Sequence, residues 1–127
     1  MICVKDMSGL LKPYAAKKLI KALKEEVGVP IHLHTHNNTD NQIATYLLAA
    51  EAGVDVVDCA IGPLSSLTSQ PSLNSLVEAM RGTERDTGLP TEGLQKLADY
   101  WSDVRERYGR FDKGLRTPVT DIYRYEI

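Results

Sequence analysis

The chain is short of cysteine, of net charge and of long apolar runs, and each shortage excludes something. No segment approaches the roughly 18 consecutive apolar residues of a membrane span, so no membrane partner is expected. Met1-Ile2-Cys3-Val4-Lys5-Asp6 shows no basic region followed by a long apolar run, so no secretory signal is visible. A formal net charge of −2, from 15 basic and 17 acidic residues, gives no reason to expect nucleic acid or an anionic membrane as partner. Only two cysteines are present. Cys3 and Cys59 each sit in a short apolar run that reads as a buried strand, without metal-finger spacing. Reduced core thiols and a cytoplasmic setting are expected. No low-complexity segment or clear interdomain linker interrupts the chain. What is there is an ordinary globular composition, 43% hydrophobic and 25% charged over 127 residues, enough for one domain with a real core.

Strand and helix patterns alternate over the first two-thirds. Met1–Lys5 reads as a short buried strand, Pro30–Thr35 as a second and Val54–Ile61 as a third. The first helix is expected from Pro13, a residue suited to the first helical position, to about Val27. It carries Leu19, Ile20, Leu23 and Val27 on one face and Gly28 as its stop. A second helix is expected from Asn41 to about Ala52, stopped by Gly53, and a third from Pro71 to about Arg81, ahead of Gly82. Strands joined by helices at intervals of about 25 residues predict right-handed βαβ units and a parallel sheet. Such folds place ligands at the C-terminal ends of strands, where Lys5-Asp6, His34-His36 and Asp58 fall. Thr91–Tyr108 reads as an appended charged helix, with Tyr100, Trp101 and Tyr108 expected in packing rather than as a cofactor platform. Residues 111–127 show no clear period.

Histidine is scarce as well: three residues, His32, His34 and His36, all in one run. Strand side chains alternate, so all three point to one face. A row of imidazoles ending where a strand becomes a loop is poor core material. It is good metal-ligand material, because neutral imidazole is the commonest protein metal ligand. On spacing alone the competing reading is a half-exposed edge strand with solvated histidines.

With those residues in place the chain resembles the carboxyltransferase domain of biotin-dependent pyruvate carboxylases. It is similar, more distantly, to the oxaloacetate decarboxylase alpha subunit and the matching transcarboxylase subunit. The shared motifs are Val4-Lys5-Asp6-Met7-Ser8-Gly9-Leu10-Leu11-Lys12-Pro13, His32-Leu33-His34-Thr35-His36 and Ala52-Gly53-Val54-Asp55-Val56-Val57-Asp58. Thr68-Ser69-Gln70-Pro71-Ser72, Arg81-Gly82-Thr83-Glu84-Arg85-Asp86-Thr87 and Asp121-Ile122-Tyr123-Arg124-Tyr125-Glu126-Ile127 complete the set. The Thr68–Ser72 motif favours the pyruvate carboxylase branch over the transcarboxylase branch.

The resemblance implies an α/β fold, a partial (β/α)8 TIM barrel consisting of the last three parallel strands with their helices, plus part of a C-terminal helical extension. On that basis residues 1–90 are expected to form the C-terminal βα units of the barrel and 91–127 a truncated extension. The parent activity it implies is transfer of a carboxyl group from carboxybiotin to pyruvate, giving oxaloacetate, at a divalent-metal site. The implied metal-binding residues are Lys5, as its carbamate, His34 and His36, and the donor set suits zinc or manganese. His32, Asp6 and Asn37 are candidates for orienting those ligands. From the residues alone, Lys5 also reads as a solvent-reaching lysine at a strand end, and Asp6 and Asp58 as caps of the segments that follow. Thr68, Ser69 and Gln70 read as caps for the helix opened by Pro71.

The chain departs from the family at two places. Asn37-Asn38 stand where the family has aspartate and threonine, and Gly62-Pro63-Leu64-Ser65-Ser66 places a proline in a loop otherwise built of small residues. The first-strand aspartate ligand, the arginine for pyruvate's carboxylate, the biotin-attachment motif and the ATP-binding region have no counterpart. The family's reactive threonine would lie beyond Ile127. A fragment is therefore expected, inactive alone, with biotin supplied by another domain or subunit. Its open edges predict self-association or pairing with the rest of the barrel. The alternatives are an oxaloacetate decarboxylase-like subunit and a non-catalytic half-barrel acting in binding or assembly.

Overall fold

The computed structural model describes residues 1–125; Glu126 and Ile127, the end of the last motif and of the 91–127 extension, lie outside the described residues. Three parallel strands, β1 (Ile2–Asp6), β2 (Ile31–Thr35) and β3 (Val56–Val57), form an open sheet in the order β1-β2-β3. The helices are α1 (Pro13–Glu26), α2 (Gln42–Glu51), α3 (Leu73–Met80) and α4 (Thr91–Tyr108).

Alternation along β2 divides its residues cleanly. Ile31, Leu33 and Thr35 are fully buried, while His32 and His34 are half-buried. Ile31 and Leu33 meet Ile20 of α1, Tyr46, Ala49 and Ala50 of α2, and Leu76 and Met80 of α3 in one apolar cluster. Burying a leucine such as Leu33 fully stabilises by about 1.5–3 kcal/mol. Among the described residues no helix covers the other face of the sheet, where Cys3, Lys5 and Val56 are exposed. β1 is accordingly exposed rather than buried as its composition predicted, and Cys3 is not a core thiol.

The third strand is two residues long rather than eight. Upstream, Val54 N–H bonds back to Ala49, and Asp55 N–H still reaches the Ile31 carbonyl at 3.0 Å. The Ile31 N–H, however, goes to the Asp55 carboxylate at 2.7 Å, which also takes Lys24 Nζ at 2.8 Å, so the ladder starts only at Val56. Downstream the chain leaves β2. Ala60 bridges in parallel to Ser72 instead, with Ala60 N–H on the Pro71 carbonyl and Leu73 N–H on the Ala60 carbonyl. α3 begins at Leu73 because the Ser72 hydroxyl accepts the Ser75 N–H at 3.3 Å; the Thr68–Gln70 triplet is not its cap. α1 ends at Glu26 with Val27 extended, and Gly28 does not take the left-handed conformation that Gly53 (φ +93°) and Gly82 (φ +73°) adopt.

α4 spans the predicted range and buries Leu94 and Ala98. Tyr100 and Tyr108 are exposed rather than packed inward; Tyr100 stands edge to face with Trp101, and Tyr108 lies beside Phe111. The aperiodic tail returns to the C-terminal ends of the strands. Val119 N–H donates to Asn38 O at 2.8 Å, and the Tyr123 hydroxyl lies 2.9 Å from Thr39 Oγ1 and accepts from Asn41 Nδ2.

Candidate metal centre

Parallel register sets Lys5 beside His34 and Cys3 beside His32, so all four project from the open face of the sheet. Asp58, just past β3, lies alongside. Its Oδ2 is 2.7 Å from His34 Nδ1 and its Oδ1 is 2.9 Å from His32 Nε2, the latter at an angle outside hydrogen-bond geometry. A carboxylate can only accept, so His34 carries its proton on Nδ1 and its buried Nε2, which has no hydrogen-bond partner, presents a lone pair. Burial alone would raise the Asp58 carboxyl; the hydrogen bond from His34, and then the close approach of His32, outweigh it and hold the carboxyl below its ordinary range.

His36 is set the same way by a different partner. Its Nδ1 lies 2.7 Å from the Thr68 carbonyl oxygen, another obligate acceptor, so Nδ1 is the donor and Nε2 is the lone pair. Gln70 Nε2 approaches that lone pair at 3.5 Å, the long limit of a hydrogen bond. The two rings stand edge to face with centroids 5.2 Å apart. Metal-binding histidines characteristically donate their second N–H to a carboxylate or a backbone carbonyl, and this chain has one of each.

Neither Asp6 nor Asn37 hydrogen-bonds an imidazole directly. Asp6 accepts from the N–H groups of Ser8, Leu10 and Leu11 and from Thr35 Oγ1, which ties down the β1–α1 loop and brings it to no imidazole. Gly9 in that loop has φ +70°, and a Cβ there would stand 2.7 Å from the His36 carbonyl oxygen, so only glycine fits. Asn37 is buried and bonded to Asp40, Ser66 and Gln42. The Thr68 carbonyl and the Tyr46 hydroxyl that accepts the Thr35 N–H at 3.1 Å are additions that no sequence pattern announced.

Among the described residues no three histidine, cysteine or carboxylate side chains converge into a ready-made cage. The donors that fit a metal are the two Nε2 lone pairs, with Lys5 adjacent in register. An open parallel α/β sheet with two oriented imidazoles at a strand's C-terminal end is the arrangement a partial barrel would present at the end where such folds bind ligands. The sequence model of the HMGL-like family matches residues 1–100, and the chain belongs to that family. Pyruvate carboxylase of Bacillus subtilis is 45% identical over 98% of the chain, and pyruvate carboxylase of Staphylococcus aureus is 47% identical over 100%. The carboxyl transferase domain of Rhizobium etli pyruvate carboxylase, solved with pyruvate, superposes with a TM-score of 0.94 at 51% identity over 97% of the chain. The chain spans 11% of each of the Bacillus and Staphylococcus proteins and 21% of the Rhizobium domain chain. The fold is that of the carboxyltransferase barrel, present here in part.

Proposed function

We propose that the chain contributes part of a divalent-metal carboxyltransferase centre, with Lys5, His34 and His36 as the metal-binding side chains. The observation that supports this most is the matched pair of tautomers: Asp58 and the Thr68 carbonyl each take an Nδ1 proton, leaving two Nε2 lone pairs on one face. Lys5, as an ammonium, binds no cation; as a carbamate it would add an oxygen donor and a negative charge beside them. A bound zinc or manganese ion supplies Lewis-acid stabilisation of negative charge at a carbonyl oxygen. His34 and His36 hold it, and Asp58 keeps His34 in place and raises its basicity.

On this reading the parent enzyme is a biotin-dependent pyruvate carboxylase moving a carboxyl group from carboxybiotin to pyruvate. Biotin arrives on a carrier domain outside this chain, and the remaining barrel strands bring the other groups. Residues 1–90 belong to the barrel and 91–127 to the helical extension. The exposed sheet face and the two open strand edges support a need for a partner, either the rest of the barrel or a second copy. The unlinked cysteines fit a cytoplasmic setting. The same open face also supports the other reading, a half-barrel that acts by assembly without catalysis.

Adding the remaining part of a carboxyltransferase domain to the purified chain separates the two. Oxaloacetate formation that requires both pieces, and is lost in His34→Ala, is expected. Binding without turnover supports the assembly reading.

A further inference from the structure

Asn37 follows His36 directly, and its partners bracket the group that orients His36. Its N–H donates to the Ser69 carbonyl at 2.8 Å, and its Nδ2 reaches Ser66 Oγ at 3.3 Å. Thr68, whose carbonyl takes the His36 Nδ1 proton, lies between those two serines in the chain. The remaining side-chain bonds fix the amide's orientation: Oδ1 accepts the Gln42 N–H at 3.1 Å, and Nδ2 donates to Asp40 Oδ1 at 3.1 Å. An N–H needs an acceptor and a carboxylate needs a donor, so neither an aspartate nor a flipped amide satisfies both. The clamped loop is itself strained, with Ser66 at φ +71° and Leu67 at φ +52°, conformations uncommon for side-chain-bearing residues and held here by bonds within the loop together with those to Asn37.

We propose that Asn37 is a positioning residue. It clamps the 62–70 loop to the end of β2, so that the Thr68 carbonyl selects the His36 tautomer with a free Nε2. Asp40 is the counterpart that makes an amide necessary at position 37. This deepens the metal-centre reading above and rests on it for its purpose, but the tautomer can be read without metal.

The test is long-range proton–nitrogen NMR of the histidine rings in the metal-free 127-residue chain, followed by zinc titration. His34, held by Asp58, is the internal control. In the native chain His36 is expected as the Nδ1–H form. In Asn37→Asp it is expected to become a mixture of tautomers while His34 is unchanged, with zinc affinity falling about tenfold or more. The exchange Asn37→Asp with Asp40→Asn restores a donor–acceptor pair and is expected to restore the His36 signal. Ser66→Ala, which deletes one bond, is a milder variant expected to shift His36 in the same direction should Asn37→Asp fail to fold. An unchanged His36 tautomer in folded Asn37→Asp or Ser66→Ala, or no recovery in the exchange variant, overturns the proposal. A native chain with the expected tautomer and no zinc binding overturns the metal reading and leaves the clamp standing.

Discussion

Asp58 Oδ2 sits 2.7 Å from His34 Nδ1, and the same carboxylate reaches to within 2.9 Å of His32 Nε2. One acid thus lies against two of the three imidazoles but hydrogen-bonds only His34, and the consequence falls on that ring's other nitrogen, Nε2. Removing such a supporting group typically costs 10–100-fold in metal affinity. Asp58→Ala is therefore expected to weaken zinc binding by about that factor with His34 still in place. Zinc titration checks it, and undiminished affinity would dissociate Asp58 from the centre.

Tyr46 is fully buried, with its hydroxyl on the Thr35 N–H at the end of β2. Burial is the main cause that pushes its phenol well above the ordinary range, so it stays neutral. Tyr46→Phe keeps the ring and strands the N–H. It is expected to cost roughly 1–3 kcal/mol in urea unfolding. A midpoint equal to that of the native chain would show that water or a shift in β2 satisfies Thr35.

Cys59 and Cys3 are expected to differ in reactivity. Burial, with the Asp58 charge adding to it, pushes the Cys59 thiol up to about 12, whereas Cys3 lies exposed on the open face. Thiolate is the reactive species, so alkylation at pH 8 is expected to label Cys3 and spare Cys59. Peptide mapping after a timed quench reads this directly; equal labelling contradicts the packing described.

Much of this was legible in the sequence. The period-two pattern of β2 identifies which residues are buried and which are histidines facing out, and α4 falls where its helical spacing puts it. The third strand reads too long because Val54-Asp55 and Ala60-Ile61 have strand composition, yet the Asp55 carboxylate captures the Ile31 N–H at one end and Ala60 bridges to Ser72 at the other. The Thr68 carbonyl is a backbone atom and carries no residue signature. Likewise Tyr123 reaches Thr39 across 84 positions of chain, a distance that no local pattern encodes. Asp6 and Asn37 stand beside the ligands in sequence, yet Asp6 bonds the β1–α1 loop and Asn37 meets His36 only through the loop that carries Thr68.

Glu78 gives a pH dependence of definite sign. Its bonds to Arg81 and Thr91 lower its carboxyl from 4.5 to about 2. A carboxyl depressed in the folded state adds stability that is complete above its unfolded value and lost as pH falls through the folded one. The stability gap between the native chain and Glu78→Gln is expected to be constant above pH 5 and to close as pH falls from 4.5 toward 2. A gap that widens on acidification would reverse the assignment.

The most direct test of the central claim is metal stoichiometry by elemental analysis. The native chain, His34→Ala and His36→Ala would each be equilibrated with zinc or manganese in bicarbonate and freed of excess. The account predicts about one ion per native chain and loss in both variants, as expected of a centre in which each imidazole is a ligand. Equal metal content in all three, or none in the native chain, would contradict it.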